Sequence, residues 1–138
     1  MPTATSPQPA MPATGQPEPL VLVRKINGDP NPLSMPANTA FDTLGNMYVL
    51  DGGNDRVQVF DPSGKFISMW GSHGSGDGQF DLVVHEDITY SVGGIVLDQD
   101  NHVFVADGLN QRVQEFDTTG KFLKKWGSYG LGNGQFIR

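Results

Sequence analysis

Residues 46–80 read NMYVLDGGNDRVQVFDPSGKFISMWGSHGSGDGQF, and residues 102–136 read HVFVADGLNQRVQEFDTTGKFLKKWGSYGLGNGQF. The two stretches align without a gap at an offset of 56 residues, and 20 of the 35 aligned positions are identical. Asp51 falls on Asp107, Arg56 on Arg112, Trp70 on Trp126 and Phe80 on Phe136. A fixed period of this size marks a repeat architecture. One such unit cannot bury its apolar face alone, so the period predicts units stacked side by side.

Within each period the apolar residues fall in short runs separated by turn chemistry. Residues 47–50, 56–60 and 66–70 of the first copy, and 103–106, 112–116 and 122–126 of the second, predict three strands each. A fourth comes from 39–41 and 95–97, which end at Asp42 and Asp98. In R-V-Q-V-F (56–60) alternate side chains point to opposite faces. Asp61-Pro62-Ser63-Gly64 places proline where a type I turn prefers it and glycine at the end; Asp117-Thr118-Thr119-Gly120 does the same without proline. No stretch has helical apolar spacing over a dozen residues. The prediction is an all-β chain of two four-stranded antiparallel propeller blades.

Around the repeats, residues 1–19 form a proline-rich stretch without charge before Glu18, which predicts a disordered leader. Residues 20–34 hold L-V-L-V-R-K-I and a loop, expected as the outermost strand of a neighbouring blade, the alternative being an edge strand lying on blade 1. Blade 1 then takes 35–80, an insert 81–90, and blade 2 with the start of a further repeat 91–138. Propellers have about four to eight blades. The chain is therefore expected to be part of a longer propeller, with a homotrimer of two-bladed copies as the second choice.

Composition narrows the partners. The formal charge is −6 at pH 7 and no basic stripe appears, which argues against nucleic acid. Cysteine is absent, so disulfides and thiolate metal sites are out and the redox compartment is open. No window approaches a membrane span, and no signal-peptide pattern precedes the leader. A soluble protein is expected, secreted or periplasmic if a signal lies upstream.

The motif G-N-x-Y-V-x-D-x-x-N-x-R-V-Q-V-F-D-x-x-G-K-F followed by W-G-S-x-G-x-G-D-G-Q-F (45–80) resembles the NHL repeat, and the resemblance covers residues 36–136. It implies a β-propeller, most often six-bladed. The segments F-V-A-D-G (104–108), N-x-R-V (110–113) and G-K-F to W-G (120–127) are also similar to blades of peptidyl-amidating lyases, which hold zinc by histidines from several blades. This chain offers His73, His85 and His102, and none aligns with a zinc ligand.

Candidate sites follow from the meander. The 51–55 and 107–111 loops share a face with the blade-to-blade connection, and that connection is too long: Asp98 lies 18 positions after Phe80, about twice what the repeat needs. Long loops in compact repeats are often functional. The candidate binding face is therefore His73, Asp77, His85, Glu86, Asp87 and Tyr90. Residues 82–84 and 88–90 are apolar enough to form an extra hairpin instead. Asp51, Asn54 and Arg56, with Asp107, Asn110 and Arg112, recur in both copies and are expected to be a structural network. Trp70 and Trp126 are expected to be packing residues. No nucleophile–base pair stands out, so no catalytic residue is assigned. The expected role is a binding scaffold for a protein, peptide or glycan without a cofactor; the alternative is a metal-dependent lyase carrying zinc or calcium.

Overall fold

Each tight turn is built around one aspartate. Asp61 Oδ1 accepts the N–H groups of Ser63 and Lys65 at 2.9 Å each and the Ser63 hydroxyl at 2.6 Å. Asp117 does the same with Thr119 and Lys121. The Ser63 hydroxyl foremost, and the Lys65 N–H after it, hold the Asp61 carboxyl below the usual carboxylate range; Thr119 does so for Asp117. At the same end of each blade, in the turn between its first two strands, Asp42 gathers the N–H groups of Leu44 and Asn46, and Asp98 those of Asp100 and His102. Such Asx turns set the register of the hairpins that flank them.

The computed structural model describes residues 25–26, 30–85 and 89–137. Apart from Lys25 and Ile26, the expected leader and the strand over 20–26 lie outside them. Blade 1 consists of β1 (Pro36–Phe41), β2 (Met47–Asp51), β3 (Arg56–Phe60) and β4 (Phe66–Trp70), antiparallel in that order. A short hairpin follows, β5 (Val83–Val84) with β6 (Tyr90–Ser91). Blade 2 consists of β7 (Gly93–Leu97), β8 (Val103–Asp107), β9 (Arg112–Phe116) and β10 (Phe122–Trp126), in the same order. Corresponding pairs share a register: Met47 faces Phe60 in blade 1, and Val103 faces Phe116 in blade 2. The all-β propeller-blade architecture predicted from the period is what the chain adopts.

The core lies between the blades. Tyr48, Leu50, Val57 and Val59 of blade 1 meet Ile95, Val103, Val105 and Phe116 of blade 2, with Phe80 and Leu82 from the connection. Trp70 packs against this cluster, its ring 4.7 Å from that of Phe116 and 6.3 Å from that of Phe80. Gly120 makes room for it: a Cβ there would sit 2.3 Å from the indole, and the backbone φ of +84° already favours glycine.

The far face of blade 2 differs. Shifted by 56, the residues of blade 1 that blade 2 covers become Val96, Phe104, Ala106, Val113, Glu115 and Trp126. Val96 is 60% exposed and Trp126 45%. Trp126 stacks on Phe104, centroids 6.1 Å apart, under the Lys124 ammonium. Both tryptophans pack on aromatic rings, but among the described residues a second sheet lies against Trp70 and none against Trp126. Glu115 and Lys124, paired at 3.2 Å, stand where blade 1 has Val59 and Ser68.

Tyr48 carries a testable consequence of burial. Its hydroxyl points at Asp42 Oδ2, 3.4 Å away. Burial first, and the Asp42 charge second, push the phenol from 10.0 up to about 12. The folded state therefore holds this proton more tightly than the unfolded chain does. The contribution is complete below pH 10 and is lost as pH rises through about 12. Blade 2 folds with Phe104 at the equivalent position. Tyr48→Phe should therefore flatten the alkaline fall in melting temperature; an unchanged fall would place its cause elsewhere.

Candidate functional site

Two layers of polar chemistry occupy the face formed by the loops after β2, β4 and β8. The inner layer repeats. Asp107, fully buried, accepts the N–H of Asp81 at 2.9 Å, Asn110 Nδ2 at 2.9 Å, Arg112 Nε at 2.8 Å and Gln114 Nε2 at 3.3 Å. Arg112 also donates to the carbonyls of Ser75, Gly76 and Gln79, while Asn110 donates to Gly74. Blade 2 thus clasps the connection that leaves blade 1. Asp51 accepts from Ser34, Asn54, Arg56 and Gln58. Arg56 and Asn54 reach the carbonyl of Pro32, and Gln58 that of Asn31. The segment before β1 therefore sits in the clasp of blade 1 as residues 74–81 sit in that of blade 2. The buried charges of Asp51, Asp107 and Arg112 are tolerated because each has several partners.

The two clasps also measure the insert. Ser34 and Asp81 hold equivalent places, each giving its N–H to the clasp aspartate. Ser34 precedes Asp51 by 17 residues and Asp81 precedes Asp107 by 26, nine more. The extra residues form the β5–β6 hairpin. Leu82 is fully buried, and Val83 and Val84 nearly so. The hairpin is therefore rooted in the core, and of the two readings of the insert the extra hairpin is the one the structure contains.

The outer layer does not repeat. Asp55 ends the 3-10 turn Gly52–Asn54 in the left-handed region, with φ of 49°. Its Oδ1 accepts the Leu82 N–H at 2.8 Å, and its Oδ2 lies 3.0 Å from His73 Nδ1. The Asp81 carboxylate joins them, so that one donor atom from each of Asp55, His73 and Asp81 lies within 4.8 Å of the others. Neither Asp55 nor Asp81 pairs with a lysine or arginine among the described residues. The equivalent positions in blade 2 are Gln111, Tyr129 and Ile137. There the same place is apolar, and Gln111, Tyr129, Gly130, Leu131 and Ile137 line a cavity of about 720 Å³.

Of the residues singled out from sequence, His73 belongs to this outer layer. Asp77 instead ties the connection to β10 through Lys125. Tyr90 is 48% exposed on the hairpin and His85 is exposed at the end of β5, whereas Glu86 and Asp87 lie outside the described residues. The sequence reading did not select Asp55 or Asp81. The signal that could have found them is the 56-residue alignment itself: both positions break the repeat, together with His73.

No family model matches the sequence. Curated proteins do. NHL repeat-containing protein 3 of Mus musculus is 36% identical over 102 residues, covering 70% of this chain and 27% of its own length. The human counterpart is 34% identical over the same length. The chain belongs to the NHL-repeat β-propeller family. A second NHL-type relative, peptidyl-glycine alpha-amidating monooxygenase of Mus musculus, is 35% identical over 115 residues, 77% of this chain and 11% of its own length. The chain thus spans about a quarter of the one relative and about a tenth of the other. Among solved structures, the calcium-binding protein regucalcin of Agrobacterium tumefaciens is 19% identical with a TM-score of 0.48, over 68% of this chain and 30% of that chain. In both NHL blades the Asp, Asn, Arg and Gln of the clasp recur. The residues above the clasp set the blades apart. No helix among the described residues is long and apolar enough to cross a membrane.

Proposed function

We propose that this NHL-repeat chain is a binding module whose loop face holds an extended peptide or a protein loop. The observation that carries the reading is the division of labour on that face. The repeated polar groups are buried and consumed in holding the fold, while the non-repeated His73 and Tyr129 are exposed above them. The cavity beside Tyr129 has the size of ordinary ligand sites. Tyr129 is 72% exposed and Leu131 90%, and such a lining suits apolar side chains of a peptide better than a sugar. Hydroxyl-rich ligands need more fixed donors and acceptors than Gln111 supplies.

Panning a displayed peptide library on the protein tests this. Enriched peptides should lose about tenfold or more in affinity for Tyr129→Ser, an aromatic anchor being worth that much. Peptides that bind both proteins equally, or an enriched glycan on an array with no peptide, would overturn the reading.

The likeness to the amidating monooxygenases favours a second reading, a zinc lyase. The described histidines do not meet at one site. His73 is bonded to Asp55, His102 lies 3.1 Å from Asp98 and 3.7 Å from Glu115, and His85 stands apart on the hairpin. Among the described residues no candidate metal cluster contains two histidines.

A further inference from the structure

The geometry points to a divalent-cation site at Asp55, His73 and Asp81, where a borderline ion of the Zn²⁺ or Mn²⁺ kind pins the root of the β5–β6 hairpin to the blade 1 loops. The site does not depend on the peptide-binding reading.

The donor set is mixed rather than merely acidic: one imidazole nitrogen and two carboxylate oxygens from three separate segments. Imidazole suits zinc and its first-row neighbours, and carboxylates suit harder ions such as manganese; the mixed set favours a first-row dication between the two. Donors about 2.0–2.2 Å from an ion stand roughly 3 Å apart in octahedral and roughly 3.4 Å apart in tetrahedral geometry; Asp55 Oδ2 and His73 Nδ1 are 3.0 Å apart, and Asp81 offers an oxygen within 4.8 Å of both. An ion there takes the Nδ1 lone pair, and the ring proton resides on Nε2. Water completes the coordination on the exposed side, where His73 is 72% exposed.

The carboxylates are held in place by groups other than the ion. Asp55 is fixed by its left-handed backbone and by the Leu82 N–H. Asp81 is fixed through its main chain, whose N–H goes to Asp107 and whose carbonyl accepts the Leu109 N–H. Its carboxylate makes no hydrogen bond or ion pair with any described residue. Blade 2 shows what the fold does without a cation: Gln111, Tyr129 and Ile137 carry no charge. All three positions change together, as they should if the charges serve one ligand.

That blade supplies the test, because its residues are known to suit the position. The protein, stripped with chelator, should bind one Zn²⁺ or Mn²⁺ in calorimetric titration, with a rise in melting temperature. His73→Tyr and Asp81→Asn should each weaken binding about tenfold or more while leaving the melt in chelator unchanged. Mn²⁺ should broaden the His73 ring resonances before those of His85 and His102. Zinc that binds both variants as tightly as the parent protein, or no saturable binding of either ion, would overturn the site. If His73→Tyr fails to fold, Asp81→Asn and the Mn²⁺ broadening still decide it. Retention of a metal after loss of His73 would place the ion at other histidines.

Discussion

Trp70→Ala will lower the stability of the chain by about 3–5 kcal/mol, while Trp126→Ala will cost only about 1 kcal/mol. The two residues hold the same repeat position, so sequence symmetry assigns them one value. Their surroundings separate them. Trp70 fills the junction between the blades against Phe116 and Phe80, over Gly120. Trp126 has Phe104 and Lys124 beside it and remains 45% exposed. Trp70→Phe refines the expectation. The Trp70 indole N–H is buried without a hydrogen-bond partner among the described residues, and phenylalanine removes that group while keeping an aromatic ring over Gly120. It should therefore cost far less than alanine. Denaturant melts of the three variants decide the matter. Equal losses for both alanine variants would mean that the far face of blade 2 is covered in solution. A ligand-binding defect without a stability loss at Trp70 would move that residue from packing to recognition.

Most of the fold was legible because its determinants are local and occur twice. Turn aspartates, the glycines after them and the alternation of R-V-Q-V-F each fix a few residues of backbone, and recurrence at a constant offset turns weak signals into a strong one. β3, β4, β9 and β10 have the bounds expected from sequence. The strands β1 and β7 begin earlier than expected, at Pro36 and Gly93, because pairing with β2 and β8 recruits residues that carry no β-forming signal of their own. What the repeat could not reveal is anything that breaks it. Asp55 and Asp81 look like ordinary loop carboxylates. Only the closure of the 71–80 connection back onto the 3-10 turn brings them to His73, and that closure depends on Phe80 and Leu82 entering the core. The candidate site is a tertiary product of the burial of Phe80 and Leu82, the two residues that flank Asp81. Asp77 shows the converse: chosen as a binding residue by its place in an exposed loop, it pairs with Lys125 across the blades, a contact of the exposed kind worth about 1 kcal/mol or less.

Deletion of residues 81–90, joining Phe80 to Ser91, should abolish cooperative folding of these two blades, although the eight blade strands remain intact. Loop length by itself argues for tolerance, since each doubling is worth only about 0.6 kcal/mol. The contacts argue the other way and are larger. Leu82 is fully buried in the inter-blade cluster, and Leu82→Ala alone should cost about 2–5 kcal/mol. The same deletion removes the Asp81 N–H from buried Asp107 and the Asp81 carbonyl from Leu109. It also takes the Leu82 carbonyl from Val92 and the Leu82 N–H from Asp55. Buried groups left without partners add about 1–3 kcal/mol each, against a total stability of about 5–15 kcal/mol for a domain. The outer part of the hairpin is a different matter. Tyr90 is 48% exposed, and Tyr90→Ser should stay within about 0.5 kcal/mol of the parent. Circular dichroism melts of the deletion, of Leu82→Ala and of Tyr90→Ser distinguish root from tip. A deletion that melts cooperatively within a few degrees of the parent would show that Leu82 is dispensable, and the insert would then be an accessory of the loop face rather than a piece of the core.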